Sequence, residues 1–339
     1  MTSSEILTGL LALDSHVDIP WPEGPSPFED GPRCVDLPKL RAGRVGAVCF
    51  AAYVPQGPRD EAGHFSARAR AEGMLGAIAA MAPANGAGGV LALSADEIEG
   101  AHRAGRIAIV PAIENAYAIG RDIDALEAFY GRGVRYITLT HNGHNELADA
   151  AIPRKDLDDS EVEFAGLSDF GRACIGRMNE LGILVDVSHA AKSTMMQAAR
   201  LSRSPVVATH SCMRALCDHP RNLDDEQLFA LRDTGGLVQV TIVSGFLKAK
   251  ARASDLSVAD IVDHVDYGVR KIGIDHVGIG TDFDGGGGVK GFMNASQTPH
   301  LTQELLRRGY DEDEVAKIWG GNFLRVMREA ERVMRPAGY

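Results

Sequence analysis

The feature that most constrains the fold is an alternation of short apolar runs with longer helical patterns. Eight β-rich runs recur along the chain, and most are nearly continuous hydrophobic stretches rather than alternating ones. Continuous hydrophobic strands are typical of parallel sheets that are covered on both faces. The runs lie at residues 11–17, 45–53, 107–113, 134–140, 183–188, 205–209, 236–243 and 277–281.

Helical patterns lie between these runs. Ser168 is a candidate N-cap and Gly182 a candidate stop for one helix, and residues 62–81 and 302–334 are also predicted to be helical. Eight strands that alternate with helices predict an α/β fold of the (β/α)₈ TIM barrel type. An open doubly wound sheet is the alternative.

The bulk composition limits the domain count and the classes of partner. The chain has 339 residues, of which 45% are hydrophobic, which is enough for a large core. Two domains are possible at this length, but α/β barrels often reach it as one domain, so residues 1–339 are expected to form a single barrel domain. The formal net charge of -11 argues against nucleic acid and anionic membrane surfaces as partners.

The compartment is predicted from the N-terminus and the cysteines. The first residues carry no basic segment, and no stretch reaches the length of a membrane span. The five cysteines show no disulfide framework or C-x-x-C spacing. Both features predict a cytoplasmic protein with reduced thiols.

Chemically costly side chains stand where six of the eight predicted strands end. Because the carboxyl ends of barrel strands open onto one face, these side chains are expected to converge there. Histidines and carboxylates brought together in this way are a ligand set for a metal such as zinc. The residues are His16, Asp18, Glu114, His141, His189, His210, Asp282 and Asp284.

The ordered set of motifs resembles the membrane (renal) dipeptidases, zinc enzymes on an amidohydrolase-like barrel. The matching segments frame nearly the whole chain. They are D-S-H-V-D-I-P-W at 14–21, I-E-N at 113–115, Y-I-T-L-T-H-N at 136–142, D-V-S-H at 186–189, T-H-S at 209–211, P-R-N at 220–222 and G-I-G-T-D-F-D-G at 278–285.

The resemblance implies a metal centre with two Zn²⁺ ions per chain. His16 and Asp18 would bind one ion, and His189 and His210 the other. Glu114 would bridge the two ions. A hydroxide held between them would hydrolyse the peptide bond of a dipeptide, because bound zinc lowers the pKa of water to about 7.

The resemblance also implies roles for three residues outside the ligand set. His141 would contact the substrate carbonyl group and the oxyanion formed from it. Arg221, eleven residues after His210, would bind the terminal carboxylate of the substrate. Asp282 would contact the attacking water and transfer its proton to the leaving amine. The family further implies acceptance of L-D dipeptides and assembly as a homodimer.

Two residues next to the expected functional residues, Asn115 and Asp284, have no role that the resemblance assigns to a ligand or catalyst. Asn115 follows Glu114, where the family more often carries glycine. Asp284 lies two residues after Asp282, and alternation would send both to the same side. By resemblance we expect Asp282 to be functional and Asp284 to shape the turn with Gly285.

Two other functions fit the same residues. The barrel could hydrolyse N-acyl amino acids, lactams or lactones, since only Arg221 and the loops argue for dipeptides. A barrel that binds a metal or small ligand without catalysis is the second alternative. The presence of Asp282 and of every expected ligand argues against this second alternative.

Overall fold

The computed structural model describes residues 9–19, 22 and 24–334 of the chain. Pro20 and Trp21, which end the first segment of the family resemblance, lie outside the described residues. Among the residues described, no helix combines the length and the apolar character needed to cross a membrane.

The described chain is organised around one sheet in which all paired strands are parallel. Eight strands follow one another in chain order, and the two-residue β3 pairs with the edge of β4. The strands are β1 (Ala12–Asp18), β2 (Val45–Tyr53), β3 (Val90–Leu91), β4 (Ala108–Glu114), β5 (Tyr136–Thr138), β6 (Leu184–Asp186), β7 (Val206–Ser211), β8 (Leu237–Val240) and β9 (Val277–Ile279). Each of the eight predicted runs overlaps one of these strands, with ends that agree to within three residues, and only β3 was not predicted.

Backbone hydrogen bonds close the sheet where the first strand meets the segment after the last. The Asp282 amide donates to the His16 carbonyl oxygen at 2.9 Å, and the Asp18 amide donates to the Phe283 carbonyl oxygen at 3.0 Å. Both bonds lie at the carboxyl ends of β1 and β9. The ring of eight parallel strands confirms the predicted TIM barrel class.

Helices separate the strands and cover the outside of the barrel. They are α1 (Leu37–Ala42), α2 (Glu61–Ala80), α3 (Ala95–Arg103), α4 (Ala125–Gly131), α5 (Asp169–Leu181), α6 (Lys192–Leu201), α7 (Asp225–Asp233), α8 (Ser244–Leu247), α9 (Val258–Ile272), α10 (Thr298–Arg307), α11 (Glu312–Ala316) and α12 (Asn322–Val333). The predicted caps of α5 are confirmed: Ser168 accepts from the Gly171 amide, and Gly182 ends the helix with a φ of 72°.

The C-terminal helical stretch is interrupted, so the prediction of helix throughout residues 302–334 is wrong in detail. Helix α10 begins at Thr298 and ends at Arg307, and Gly309 follows with a φ of 97°. A π-helical segment, Lys317–Gly321, joins α11 to α12. A glycine in left-handed geometry ends a helix readily, since it has no side chain to clash there.

Buried side chains support the carboxyl-terminal face of the barrel from below. One apolar cluster joins strand residues such as Leu13, Cys49 and Tyr136 with Phe323 on α12. A larger cluster fills the layer between the strands and the surrounding helices. This packing accounts for the near-continuous hydrophobic runs, because each strand is covered on both faces.

Candidate active site

The structure brings seven of the predicted site residues together at the carboxyl ends of the strands. Asp18 and Glu114 are the last residues of β1 and β4, and His210 lies near the end of β7. The other strand-end residues lie in β1 or in the loops that follow β5, β6 and β9; they are His16, His141, His189 and Asp282. Side chains from distant parts of the sequence therefore face one another across the mouth of the barrel.

Glu114 is the centre of this arrangement. Its Oε1 lies 3.1 Å from His189 Nε2 and 3.4 Å from His210 Nε2. Its Oε2 lies 3.8 Å from His16 Nε2, and that nitrogen is also 3.8 Å from Asp18 Oδ1. The two oxygens of one carboxylate thus face two different sets of side chains, as expected of a bridging ligand.

Several buried polar atoms in this cluster have no hydrogen-bond partner among the described residues. They are His16 Nε2, His210 Nε2 and Asp18 Oδ1. A buried polar atom without a partner is costly, and a bound cation removes that cost. Imidazole nitrogens and carboxylate oxygens are ligands that suit zinc. The residues present therefore fit a metal centre of the expected kind.

The electrostatics of the cluster favour a positive charge. Burial raises the pKa of Asp18, and the neighbouring charges of Glu114 and Asp282 raise it further. Burial also raises the pKa of Asp282, to about 7. Burial would lower the pKa of His16, but the nearby negative charges of Glu114 and Asp18 raise it to about 10. A cation placed among these carboxylates would relieve their mutual repulsion.

Hydrogen bonds at the far side of the rings orient two of the histidines. His189 Nδ1 lies 3.2 Å from Asn142 Oδ1, which can only accept, so Nδ1 carries the proton. His16 Nδ1 lies 2.8 Å from the Tyr136 hydroxyl. These contacts leave Nε2 of each ring directed toward Glu114, as metal-binding histidines require. Tyr136 and Asn142 begin and end the motif at 136–142, but the sequence did not predict their contacts with the histidines, because those contacts depend on residues distant along the chain.

The backbone is strained at four positions around the cluster. Asn115, His189, Asp282 and Asp284 have φ values of 81°, 64°, 61° and 63°. Positive φ is uncommon for residues other than glycine, and such strain is concentrated at functional sites. The positive φ also explains why Asn115 can stand where the family more often carries glycine. Asparagine tolerates a positive φ better than most residues, and glycine adopts it without cost.

His141 and Asp282 lie at the edge of the cluster rather than at its centre. His141 Nε2 is 4.0 Å from Glu114 Oε1, and its side chain is 20% exposed, against 7% or less for the other three histidines. Its ring packs edge-on against Tyr53. A Cβ atom built on Gly285 would lie 2.3 Å from both Asp18 Oδ2 and Asp282 Oδ1. Only glycine leaves room for these two carboxylates.

Arg221 is buried beside the cluster, and not all of its N–H groups donate a hydrogen bond to a described residue. The residue is 2% exposed, and its Nη2 donates to the His210 carbonyl oxygen at 3.4 Å. The guanidinium lies 5.3 Å from the centre of the Phe246 ring. Within the described part of the chain, its Nε has no hydrogen-bond partner, and the guanidinium forms no ion pair with a carboxylate. A buried guanidinium in this state is suited to an incoming anion.

Asp284 has a larger structural role than the sequence predicted. Its Oδ1 accepts a hydrogen bond from the Cys34 amide at 2.7 Å, and its Oδ2 accepts one from the Val35 amide at 3.1 Å. The carboxylate lies in the turn before Gly285. Its hydrogen bonds also link the segment after β9 to the segment after β1. The long-range partners of Asp284 could not be predicted from local sequence.

Comparison with known proteins places the chain among dipeptidases. A family model described as membrane dipeptidase (peptidase family M19) matches residues 2–338. The chain is 35% identical over 306 residues to a protein named Dipeptidase aclJ from Aspergillus oryzae, which covers 89% of this chain and 71% of that protein.

Solved structures agree with this relationship. The crystal structure of the probable dipeptidase PvdM from Pseudomonas aeruginosa matches with a TM-score of 0.93 and 29% identity, over 98% of each chain. A metallo peptidase from Rhodobacter sphaeroides, solved with a phosphinate mimic of the dipeptide L-Ala-D-Ala, matches with a TM-score of 0.83 and 27% identity. That match covers 95% of this chain and 99% of the other.

These matches confirm the resemblance seen in the sequence motifs and the prediction of a metal-dependent hydrolase that acts on the peptide bond of dipeptides. With its barrel and its cluster of histidines and carboxylates, the chain belongs to the membrane dipeptidase family, peptidase family M19.

Proposed function

We propose that the chain is a dipeptidase that works with two zinc ions. His16 and Asp18 would hold one ion, His189 and His210 the other, and Glu114 would bridge them. The observation that carries this assignment is the division of Glu114, whose Oε1 faces His189 and His210 while its Oε2 faces His16. Bound zinc would polarise the peptide carbonyl group and lower the pKa of water to about 7.

Arg221 is proposed to bind the terminal carboxylate of the substrate. Its guanidinium contacts the His210 carbonyl oxygen and the Phe246 ring, and its Nε has no hydrogen-bond partner among the residues that the structure describes. Arginine binds a carboxylate through two parallel hydrogen bonds, which makes the contact directional. A free carboxylate one residue beyond the scissile bond would then select dipeptides over longer peptides.

Asp282 and His141 are proposed to handle the proton and the developing charge. Asp282 lies beside Asp18 near Gly285, where its carboxylate can accept the proton of the attacking water and pass it to the leaving amine. His141 is the most exposed histidine of the cluster and can donate to the carbonyl oxygen as that oxygen becomes negative. Burial lowers the pKa of His141, so the ring is neutral at pH 7 and donates as imidazole.

We also propose that the substrates include L-D dipeptides. The support is the structural neighbour from Rhodobacter sphaeroides, which was solved with a mimic of L-Ala-D-Ala. Its fold matches this chain over 95% of the residues. L-Ala-D-Ala and L-Ala-L-Ala, assayed side by side, test this point; cleavage of the L-L pair alone would contradict it.

The direct test measures metal and activity on one sample. Protein purified without chelator is analysed for zinc per chain, and the same sample is assayed with dipeptides and with N-acetyl amino acids as the matched control. About two zinc ions with cleavage of dipeptides alone would support the proposal. Two ions with preference for the N-acetyl substrates would move the substrate class to N-acyl amino acids, and no bound metal would contradict the ligand assignment.

We also propose that the protein is located in the cytoplasm. All five cysteines are free, four of them buried, which supports a reducing compartment such as the cytoplasm. Assembly as a homodimer stays a prediction of the family resemblance. Light scattering of the purified protein, which gives its mass in solution, distinguishes a monomer from a dimer.

A further inference from the structure

A buried carboxylate beside the metal-ligand candidates has no place in the proposed chemistry. Asp186, the last residue of β6, is fully buried. Its Oδ1 accepts from the Ser188 amide at 2.9 Å and from the Thr209 amide at 3.0 Å. Its Oδ2 accepts from the Thr138 hydroxyl at 2.6 Å and from the Thr209 hydroxyl at 2.7 Å. With four donors on two oxygens, Asp186 acts as a hydrogen-bond acceptor and not as a metal ligand.

These contacts fix the direction of the Thr209 hydroxyl. Its single proton points to Asp186, so toward any other neighbour the oxygen can only accept. His210 Nδ1 lies 3.0 Å from that oxygen. Nδ1 of His210 must therefore carry a proton and donate it, which leaves Nε2 with the lone pair on the side that faces Glu114.

The same hydroxyl also contacts the other half of the centre. His16 Nδ1 lies 3.4 Å from Thr209 Oγ1 and 2.8 Å from the Tyr136 hydroxyl. The Tyr136 hydroxyl donates to the Ser15 carbonyl oxygen at 3.0 Å, so toward His16 it accepts. Both neighbours of His16 Nδ1 thus require a proton on that atom. The rings of His16 and His210 are in contact, with centroids 3.8 Å apart and planes tilted by 35°.

We propose that Thr209 is a positioning residue shared by both halves of the metal centre. Asp186 orients the Thr209 hydroxyl, and this hydroxyl holds the Nδ1 protons of His210 and, more weakly, of His16. Both Nε2 atoms then face Glu114 in the form that binds a metal. The inference rests on the ligand set of the proposed function, because it assigns the support of two of those ligands.

The test compares three variants with matched changes. Thr209→Val removes the hydroxyl at nearly constant volume, and Thr209→Ser keeps it. Thr138→Val removes the other hydroxyl bond to Asp186 without touching either histidine, so it controls for damage to Asp186 alone. Zinc affinity is measured by competition with a chromophoric zinc chelator, and the unfolding temperature of each metal-free variant is recorded.

We expect Thr209→Val to weaken zinc binding by about 10- to 100-fold, the range seen when support of a metal-binding histidine is lost. Thr209→Ser and Thr138→Val should stay within about 3-fold of the unmodified protein, well below that range. Unchanged affinity in Thr209→Val, or an equal loss in Thr138→Val, would overturn the shared positioning role. If the unmodified protein bound no zinc, the proposed ligand set itself would fail instead.

A second measurement is independent of any variant. Nitrogen-15 NMR of the histidine rings in the full-length protein reports which ring nitrogen carries the proton. The zinc-loaded protein should show a protonated Nδ1 and a metal-bound Nε2 for both His16 and His210. A signal showing that Nδ1 binds the metal in either ring would overturn the inference, even if Thr209→Val did not fold.

Discussion

At the residue scale, the two aspartates of T-D-F-D-G have different surroundings although both have positive φ values. Asp282 belongs to the cluster of carboxylates around Glu114, whereas both oxygens of Asp284 bind backbone amides of residues 34 and 35. Sequence could identify the pair through the motif but could not separate their partners. Those partners lie about 250 residues away along the chain for Asp284, a contact that only the folded barrel creates.

Asp282→Asn tests the division of roles. Asparagine cannot take up a proton, so we expect the turnover number to fall by about 10² to 10⁴-fold, the usual contribution of a general acid–base group. The zinc content should stay unchanged, because Asp282 is not among the proposed ligands. Steady-state kinetics and metal analysis on the same preparation check both points, and retained turnover would rule out the proton-transfer role.

The matched control is Asp284→Asn, two residues away. Its carboxylate accepts hydrogen bonds from the Cys34 and Val35 amides and is not among the proposed metal ligands, so its replacement should cost about 1 kcal/mol of unfolding free energy and leave most of the turnover. Equal losses of turnover in both variants would indicate that the segment after β9, rather than the Asp282 carboxyl group, is what the activity needs.

At the scale of elements, the alternation of strands and helices could be predicted because short, nearly continuous apolar runs alternate with longer segments of helical periodicity. The two-residue β3 could not, since it carries no periodic signal and depends on pairing with Ala108 and Ile109 of β4. The break after α10 was also missed, because Gly309 lies within an otherwise helical pattern. The metal-ligand candidates could be predicted because they lie at strand ends. The roles of Asn142, Tyr136 and Thr209 could not, because these residues contact neighbours that are distant in sequence.

Helix α10 is joined to α9 by a network of ion pairs that offers a test of stability against pH. Glu304 accepts from Arg307 at 2.6 Å and from Arg308 at 2.9 Å, and Arg308 also binds Asp263 and Asp266 on α9. The hydrogen bond from Arg307 holds the pKa of Glu304 below its usual value. A carboxylate with a lowered pKa stabilises the fold above its unfolded pKa, and this contribution is lost as pH falls through the folded pKa.

Glu304→Gln should therefore lower the free energy of unfolding by about 1 kcal/mol at pH 7, typical of a partly buried ion pair. The difference from the unmodified protein should shrink between about pH 5 and pH 3, where the unmodified carboxyl group is protonated as well. Urea unfolding at several pH values measures this. Glu312→Gln on the neighbouring α11, for which no ion pair to another described residue was found, is the control and should show little change.

At the scale of the whole molecule, the barrel gathers buried carboxylates at one end of an already acidic chain with a net charge of -11. Glu114 is buried and Asp18 and Asp282 are partly buried within one cluster, and burial raises the pKa of the two aspartates. A ligand that binds only the folded state stabilises it, by about 4 kcal/mol when its free concentration is a thousand times its Kd. Metal binding and global stability should therefore be coupled in this protein.

Removal of the metal should consequently lower the unfolding temperature of the full chain by about 5–10 °C, together with the loss of activity. The carboxylates then face one another without a cation, while the rest of the barrel is unchanged. Calorimetry before and after dialysis against a chelator measures the shift, with the same chelator saturated with zinc as the control. Re-addition of zinc should restore both the unfolding temperature and dipeptide cleavage. An unfolding temperature that stays constant while bound metal is lost would show that the cluster is stable without a cation and would contradict the coupling.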